Sequence, residues 1–383
     1  MSGAPHPISS DEAVRVVSGT SVSDPRRGMS RREFLLGLAS GLTTACVEIS
    51  PVADEPLRPR RQLLALAPDS APVAAPLPAI DFHTHLQMRI TAEELVEKMD
   101  ATGVARMVLM PLYYGDRPGV SVNDGEGSDE QAAEYAQRFP SRFVPFVGMQ
   151  RPELTDRWIW THPGLTGRRL LRETETKLRS GEFFGMGEFM LRFYPYQNRH
   201  GIVAPSDMNY PPDSYLMHRF ADLSARYRAP MVMHAEAEPA VTEGMLRLIE
   251  AHPEAIFVWA HNCGRSSAEA ITAMMERFPN LYADLGGMVY SGPNVEHYGV
   301  YFPRRTPWMY LVVNEVGTVL PEMQALFERH ADRFFVGTDI AHALVYAYYS
   351  NHWPRWRRFF AQLSSPAARR IAYENAERLF APA

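Results

Sequence analysis

From Ala79 onward the chain repeats one unit, a short apolar run followed by a stretch with helical periodicity. The runs are residues 79–84, 105–111, 142–148, 183–190, 229–235, 255–261, 280–285 and 333–339. Between them lie helix-like patterns such as Thr91 to Met99, with Thr91 placed as an N-cap, and Ala268 to Arg277. Eight strands alternating with helices predict a (β/α)8 TIM barrel over 79–383, a single catalytic domain, rather than an open doubly wound sheet. The glycine-rich fingerprint of a dinucleotide fold is absent, because Gly185-Met186-Gly187 lacks the third glycine. No GxSxG elbow, GK[ST] loop or internal repeat occurs. A composition of 46% hydrophobic and 22% charged residues excludes collagen, coiled coil and intrinsic disorder. The net charge of −5 leaves no basic stripe for nucleic acid.

The first run ends Ile80-Asp81-Phe82-His83-Thr84-His85-Leu86. Residues two apart on a strand share a face, so His83 and His85 point the same way, and imidazole nitrogens suit zinc and similar ions. Alone this is weak, since 13 histidines in 383 residues give roughly 0.4 HxH triplets by chance. Two strand histidines can equally be hydrogen-bonded core residues. Position adds the weight. Glu188 stands near the end of the fourth run and His234 near that of the fifth, while His261 closes the sixth and Asp339 the eighth. Each stands at the C-terminal end of an apolar strand, the rim where barrel enzymes carry their catalytic groups. Buried charges there cost several kcal/mol unless paired or metal-bound, so convergence from five strands points to a site.

On these residues the chain resembles the amidohydrolase superfamily, in particular its amidohydrolase-2 branch, related to aminocarboxymuconate-semialdehyde decarboxylase. The resemblance runs from Asp81-Phe82-His83-Thr84-His85-Leu86 to Glu374-Asn375-Ala376-Glu377-Arg378-Leu379-Phe380. It implies that His83, His85, His234 and Asp339 bind a divalent metal, zinc being the first expectation, as one or two ions. It implies that His261 holds a second ion or assists catalysis. Some members carry a carbamylated lysine on the fourth strand. The chain has only Lys98 and Lys177, the latter eleven residues before Glu188, so that subtype is excluded. Glu188 takes the place, as a metal ligand or as a carboxylate hydrogen-bonded around the histidines.

The implied chemistry is a metal-lowered water pKa, from 15.7 to about 7, with Asp339 moving the proton and His261 polarising the substrate oxygen. The leading expectation is a metal-dependent hydrolase of an ester, lactone or amide. A metal-dependent decarboxylase on the same scaffold is the alternative, and a non-catalytic metal- or ligand-binding barrel the third reading.

Residues 1–78 read differently. Ser30-Arg31-Arg32-Glu33-Phe34-Leu35 resembles a twin-arginine export signal, and the apolar run Phe34 to Leu42 is too short to span a bilayer. The expectation is export of the folded protein to a periplasmic or other extracytoplasmic location, with the export machinery as a partner. Leu42-Thr43-Thr44-Ala45-Cys46 resembles a lipoprotein cleavage site, with Leu42 one position further out than usual. Acylation of Cys46 would tether the protein to a membrane, whereas ordinary signal peptidase would cut near Ala45. Met29 offers a second start. Residues 1–46 are therefore read as leader and 47–78, with seven prolines, as a flexible tether. The two cysteines make no disulfide framework, and Cys263 reads as a small buried hydrophobe.

The loops after the fourth, seventh and eighth runs are aromatic. They contain Arg192, Phe193, Tyr194, Tyr196 and His200, then Tyr290, His297, Tyr298, Tyr301, Phe302, Arg304, Arg305 and Trp308, then His342, Tyr346, Tyr348, Tyr349, His352 and Trp353. Aromatic walls with a few cations suit a flat, apolar or carboxylate-bearing small molecule, while the same residues can instead pack the loops or a homo-oligomer interface.

Overall fold

Eight short strands pair in sequence order, every neighbour parallel: β1 (Ala79–Asp81), β2 (Val104–Pro111), β3 (Phe143–Gly148), β4 (Gly185–Phe193), β5 (Met231–Ala235), β6 (Phe257–Trp259), β7 (Leu281–Asp284) and β8 (Phe334–Phe335). The ring closes between last and first strand, where the Phe82 N–H donates to the Val336 carbonyl at 2.9 Å and the Asp339 N–H to the His83 carbonyl at 2.8 Å. The result is a TIM barrel. This computed structural model describes residues 58–63, 77–87, 89–113, 127–194, 207–289, 309–341 and 346–381. The leader motifs, including Cys46, and the loop residues Tyr196, His200, Tyr290, His297, Tyr298, Tyr301, Phe302, Arg304, Arg305, Trp308 and His342 lie outside them. Among the described residues no helix is long and apolar enough to cross a membrane.

The crossover helices form where the periodicity places them. Helix α1 (Ala92–Thr102) begins at a capping box, with the Glu94 N–H on Thr91 Oγ1 at 3.2 Å and the Thr91 N–H on Glu94 Oε2 at 2.8 Å. Helices α2 (Asp129–Arg138), α3 (Gly164–Arg179), α4 (Tyr215–Tyr227), α5 (Pro239–Ala251), α6 (Ala268–Arg277), α7 (Pro321–Arg329) and α8 (Tyr349–Phe360) follow. Strands β1, β6 and β8 are shorter than the apolar runs that announce them. At the rim the backbone leaves extended geometry, and His261 (φ 57°) and Asp339 (φ 55°) are left-handed. The lower barrel is filled by aromatics, Phe82 stacking on Phe335 at 4.1 Å and on Phe380 at 5.8 Å.

The tether expected over 47–78 is described in part, and residues 58–63 are bound to the barrel floor. The Arg61 N–H donates to the Gly181 carbonyl at 3.0 Å and its guanidinium to the Phe143 carbonyl at 3.1 Å. Arg60 donates to the carbonyls of Tyr227 and Arg228 at 2.7 and 2.6 Å, at the end of α4. A helix C-terminus exposes carbonyls without partners, and arginine is the side chain that answers several at once. Composition alone does not reveal such docking.

Candidate metal centre

Five strands deliver the six polar residues to one place, although Glu188 stands inside its strand rather than at its end, because β4 runs on to Phe193. His83 and His85 follow β1, Glu188 lies within β4, His234 within β5, His261 follows β6 and Asp339 follows β8. Glu188 is the hub. Its Oε1 lies 3.1 Å from His234 Nδ1, 3.4 Å from His261 Nε2 and 3.5 Å from His83 Nε2. Its Oε2 lies 3.4 Å from His85 Nε2. The inner nitrogens of His83 and His85 are 3.3 Å apart, and those of His234 and His261 2.8 Å. Asp339 Oδ1 is 3.5 Å from His83 Nε2 and 3.7 Å from His85 Nε2. The imidazoles and Glu188 are buried, whereas the Asp339 side chain retains 22% exposure.

Backbone geometry explains how His261 reaches the cluster. From His261 to Arg265 every residue is left-handed, with φ between 52° and 68°. At Gly264 a Cβ would sit 2.0 Å from the Ala235 carbonyl oxygen, so only glycine passes. Four apart on a helical turn, His261 and Arg265 share a face. They meet His234 in β5 and Glu236, one residue past its end: His261 against His234, and the Arg265 guanidinium donating to Glu236.

Carboxylates surround these imidazoles and set their electrostatics. Burial alone would lower His83, but Asp284 and Glu188 outweigh it and hold it well above the usual histidine range. Burial is likewise outweighed at His234, where Glu188 and Glu236 raise it to about 9. Glu188 shows the reverse, kept well below the carboxylate range by His83 and His234 despite burial. Asp339 is held low by His85 and His261, again against burial.

Which group the donors suit follows from their outer nitrogens. His83 Nδ1 donates to Asp284 at 3.0 Å, His234 Nε2 to Glu236 at 3.2 Å and His261 Nδ1 to the Gly286 carbonyl at 2.8 Å. With the outer nitrogen protonated, the inner one offers its lone pair inward, the arrangement that metal-binding histidines need. His83, His85 and Glu188 form one set of three close donors, Glu188, His234 and His261 a second, and His83, His261 and Asp339 a third. Buried imidazoles and carboxylates packed this closely fit a divalent cation, which answers the negative charge that otherwise raises His83, His85 and His234.

Sequence reasoning missed the outer carboxylates. Asp284 is the last but one residue of the seventh run and Glu236 follows His234 by two, so a charge near a run's end and period-two spacing were the available signals. It also missed Asp81, which accepts from the Thr338 N–H at 2.9 Å, Thr338 Oγ1 at 2.7 Å and Tyr349 at 3.0 Å. Burial pushes Asp81 up to about 7 despite these bonds.

The loop aromatics described here mostly pack rather than line a pocket. Tyr346, Tyr349, His352 and Trp353 are buried, and the Tyr346 hydroxyl donates to the His85 carbonyl at 2.9 Å. Arg192 is engaged by Glu238 at 2.7 Å and by Asp207, and lies 3.7 Å over the Tyr194 ring. Cys263 is buried, which pushes its thiol up and keeps it inert, as expected of a small hydrophobe.

Burial lowers His352 to about 4, with Arg355 adding to the effect. The unfolded chain therefore takes up this proton near pH 6.5 while the folded chain refuses it, so stability falls as pH drops from 6.5 towards 4. The loss amounts to about 3 kcal/mol at most. In chelator-treated protein, urea titrations at pH 7 and pH 5 should show a smaller loss for His352→Gln than for the parent. Equal losses would mean His352 titrates normally.

No curated protein matches the chain. Solved structures to which it is similar include an uncharacterised TIM-barrel protein from Bordetella bronchiseptica, at 16% identity and TM-score 0.49 over 79% of this chain and 98% of that one. A probable 2-pyrone-4,6-dicarboxylic acid hydrolase from Acinetobacter baumannii, with citric acid bound, aligns at 13% identity and TM-score 0.46 over 79% and 98%. A dihydroxybenzoic acid decarboxylase from a Polaromonas species, with bound manganese and an inhibitor, aligns at 13% and 0.46 over 79% and 96%. The amidohydrolase-2 family model, described as amidohydrolase, matches residues 80–381, and the chain belongs to that family.

Proposed function

We propose that the protein is a metal-dependent hydrolase that cleaves an ester, lactone or amide, with Glu188 shared between two ions. One observation carries the reading. A single carboxylate faces two imidazole pairs, three of whose four outer nitrogens (on His83, His234 and His261) are tethered, while the one partly exposed acid, Asp339, stands beside them. His83, His85, Glu188, His234, His261 and Asp339 would hold the divalent ions, zinc being the first choice, which would supply Lewis acidity and a water pKa of about 7. The chain's own groups do the rest. Asp339, kept ionised by its histidine neighbours and reached by solvent, accepts the water's proton and returns it to the leaving oxygen or nitrogen. His261, with Nδ1 fixed on Gly286, keeps Nε2 turned inward, beside the substrate oxygen it would orient.

The test is metal content followed by turnover on ester, lactone and amide substrates, with carbon dioxide release measured alongside on aromatic carboxylates. The expected result is one or two divalent ions per chain, lost in His83→Ala/His85→Ala, and hydrolysis without carbon dioxide. Stoichiometric metal in the double variant would sink the site, and carbon dioxide release without hydrolysis would transfer the protein to the decarboxylase reading. Export through the Arg31-Arg32 signal, with Cys46 as the lipid anchor, belongs to the same proposal. Changing both arginines to lysine should leave the precursor inside the cell, and unimpaired export would assign the leader to the general secretory route.

A further inference from the structure

Glu188 can serve two ions only if its carboxylate plane stays fixed, and its own bonds do not fix it. The terminal torsion of a glutamate is broad and two-fold. The four imidazoles around it cannot hold it either once ions are bound, because their inner nitrogens then present lone pairs rather than hydrogens. One donor remains among the described residues: the Gln150 side-chain amide donates to Glu188 Oε2 at 2.9 Å. We propose that Gln150 holds Glu188 in its bridging orientation, and so decides that the centre takes two ions rather than one. This rests on the two-ion reading of the site.

The backbone around Gln150 is built to aim that amide. The Tyr113 N–H donates to the Gln150 carbonyl at 3.0 Å, extending the β2–β3 pairing past the barrel, and the Met149 N–H donates to the Gly187 carbonyl at 3.0 Å. On the other side, buried Arg151 donates to the Gly148 carbonyl at 2.7 Å and to Asp129 at 2.6 Å. Asp129 also accepts from the Gly148 N–H at 2.7 Å and from Lys177 at 2.7 Å, so both flanks of Gln150 are pinned. The amide chemistry fits the task. A neutral donor fixes the Oε2 lone pair without cancelling the charge that the ions need, whereas lysine or arginine would compete with them. Gln150 is thus a positioning residue, acting on the site through Glu188.

Gln150→Met keeps the length of the side chain and removes the donor. Apoprotein and variant are reconstituted with manganese, and metal per chain, affinity for each ion and the electron paramagnetic resonance spectrum are measured. The parent should bind two exchange-coupled ions. The variant should keep the first ion, bind the second 10- to 100-fold more weakly and give the uncoupled spectrum of an isolated ion. Two coupled ions at parental affinity in the variant would overturn the role of Gln150. A parent that binds fewer than two ions would overturn the two-ion reading itself, and is seen before any variant is made. Should the Met variant not fold, Gln150→Asn, whose amide falls one methylene short, gives the same readout: loss of the second ion supports the proposal and its retention at full affinity overturns it.

Discussion

Glu188→Gln should yield a folded barrel that keeps at most one ion per chain and turns over at least a hundredfold more slowly, about 2.7 kcal/mol in activation free energy. The side chain is 3% exposed and the amide is isosteric, so packing survives. What disappears is the negative charge faced by His83, His85, His234 and His261. A neutral amide can offer one carbonyl oxygen but cannot bridge, and the second donor set loses its only carboxylate. Metal per chain and kcat, measured for both proteins at one pH, decide the matter. An unchanged count with near-normal turnover would make Glu188 a hydrogen-bonding neighbour of the histidines and the centre mononuclear.

Asp339→Asn should separate metal binding from proton transfer. The HxH pair and Glu188 remain, so the first ion stays, yet asparagine cannot accept a proton. The expected loss in kcat is 10²- to 10⁴-fold, the usual contribution of a positioned general base. Because its histidine neighbours hold Asp339 well below the normal carboxylate range, the parent should show no loss of rate from this group between pH 7 and pH 5. Turnover within a few-fold of the parent, with metal unchanged, would place the base elsewhere.

The barrel was legible because parallel strands buried on both faces read as continuous apolar runs, and eight of them alternate with helical periodicity. The six polar strand ends were legible for a related reason: a charged residue closing such a run stands out against it. The outer layer was not. Asp284 stands near the end of its run, as Glu188 does, yet it faces His83 from outside the cluster, and no one-dimensional spacing separates the two roles. The aromatics of the last loop left both readings open because tyrosine has an apolar body and a polar tip, and so serves equally well in a wall or a core. Tyr346 and Tyr349 use their hydroxyls on His85 and Asp81, inside the barrel. Arg192 has the charge for a substrate carboxylate but is held by Glu238 and Asp207, from the two segments that follow.

The left-handed turn from His261 to Arg265 also determines how this stretch of chain can vary in length. Its two contacts, with His234 in β5 and with Glu236 just past it, are in phase, since residues four apart on a helical turn meet residues two apart on an extended chain. One residue inserted or removed between them would rotate Arg265 by about 100° relative to His261 and break the pairing with Glu236. The distance from His261 to Arg265 therefore acts as a fixed ruler, spanned by Asn262 and Cys263, both buried and left-handed, and by Gly264.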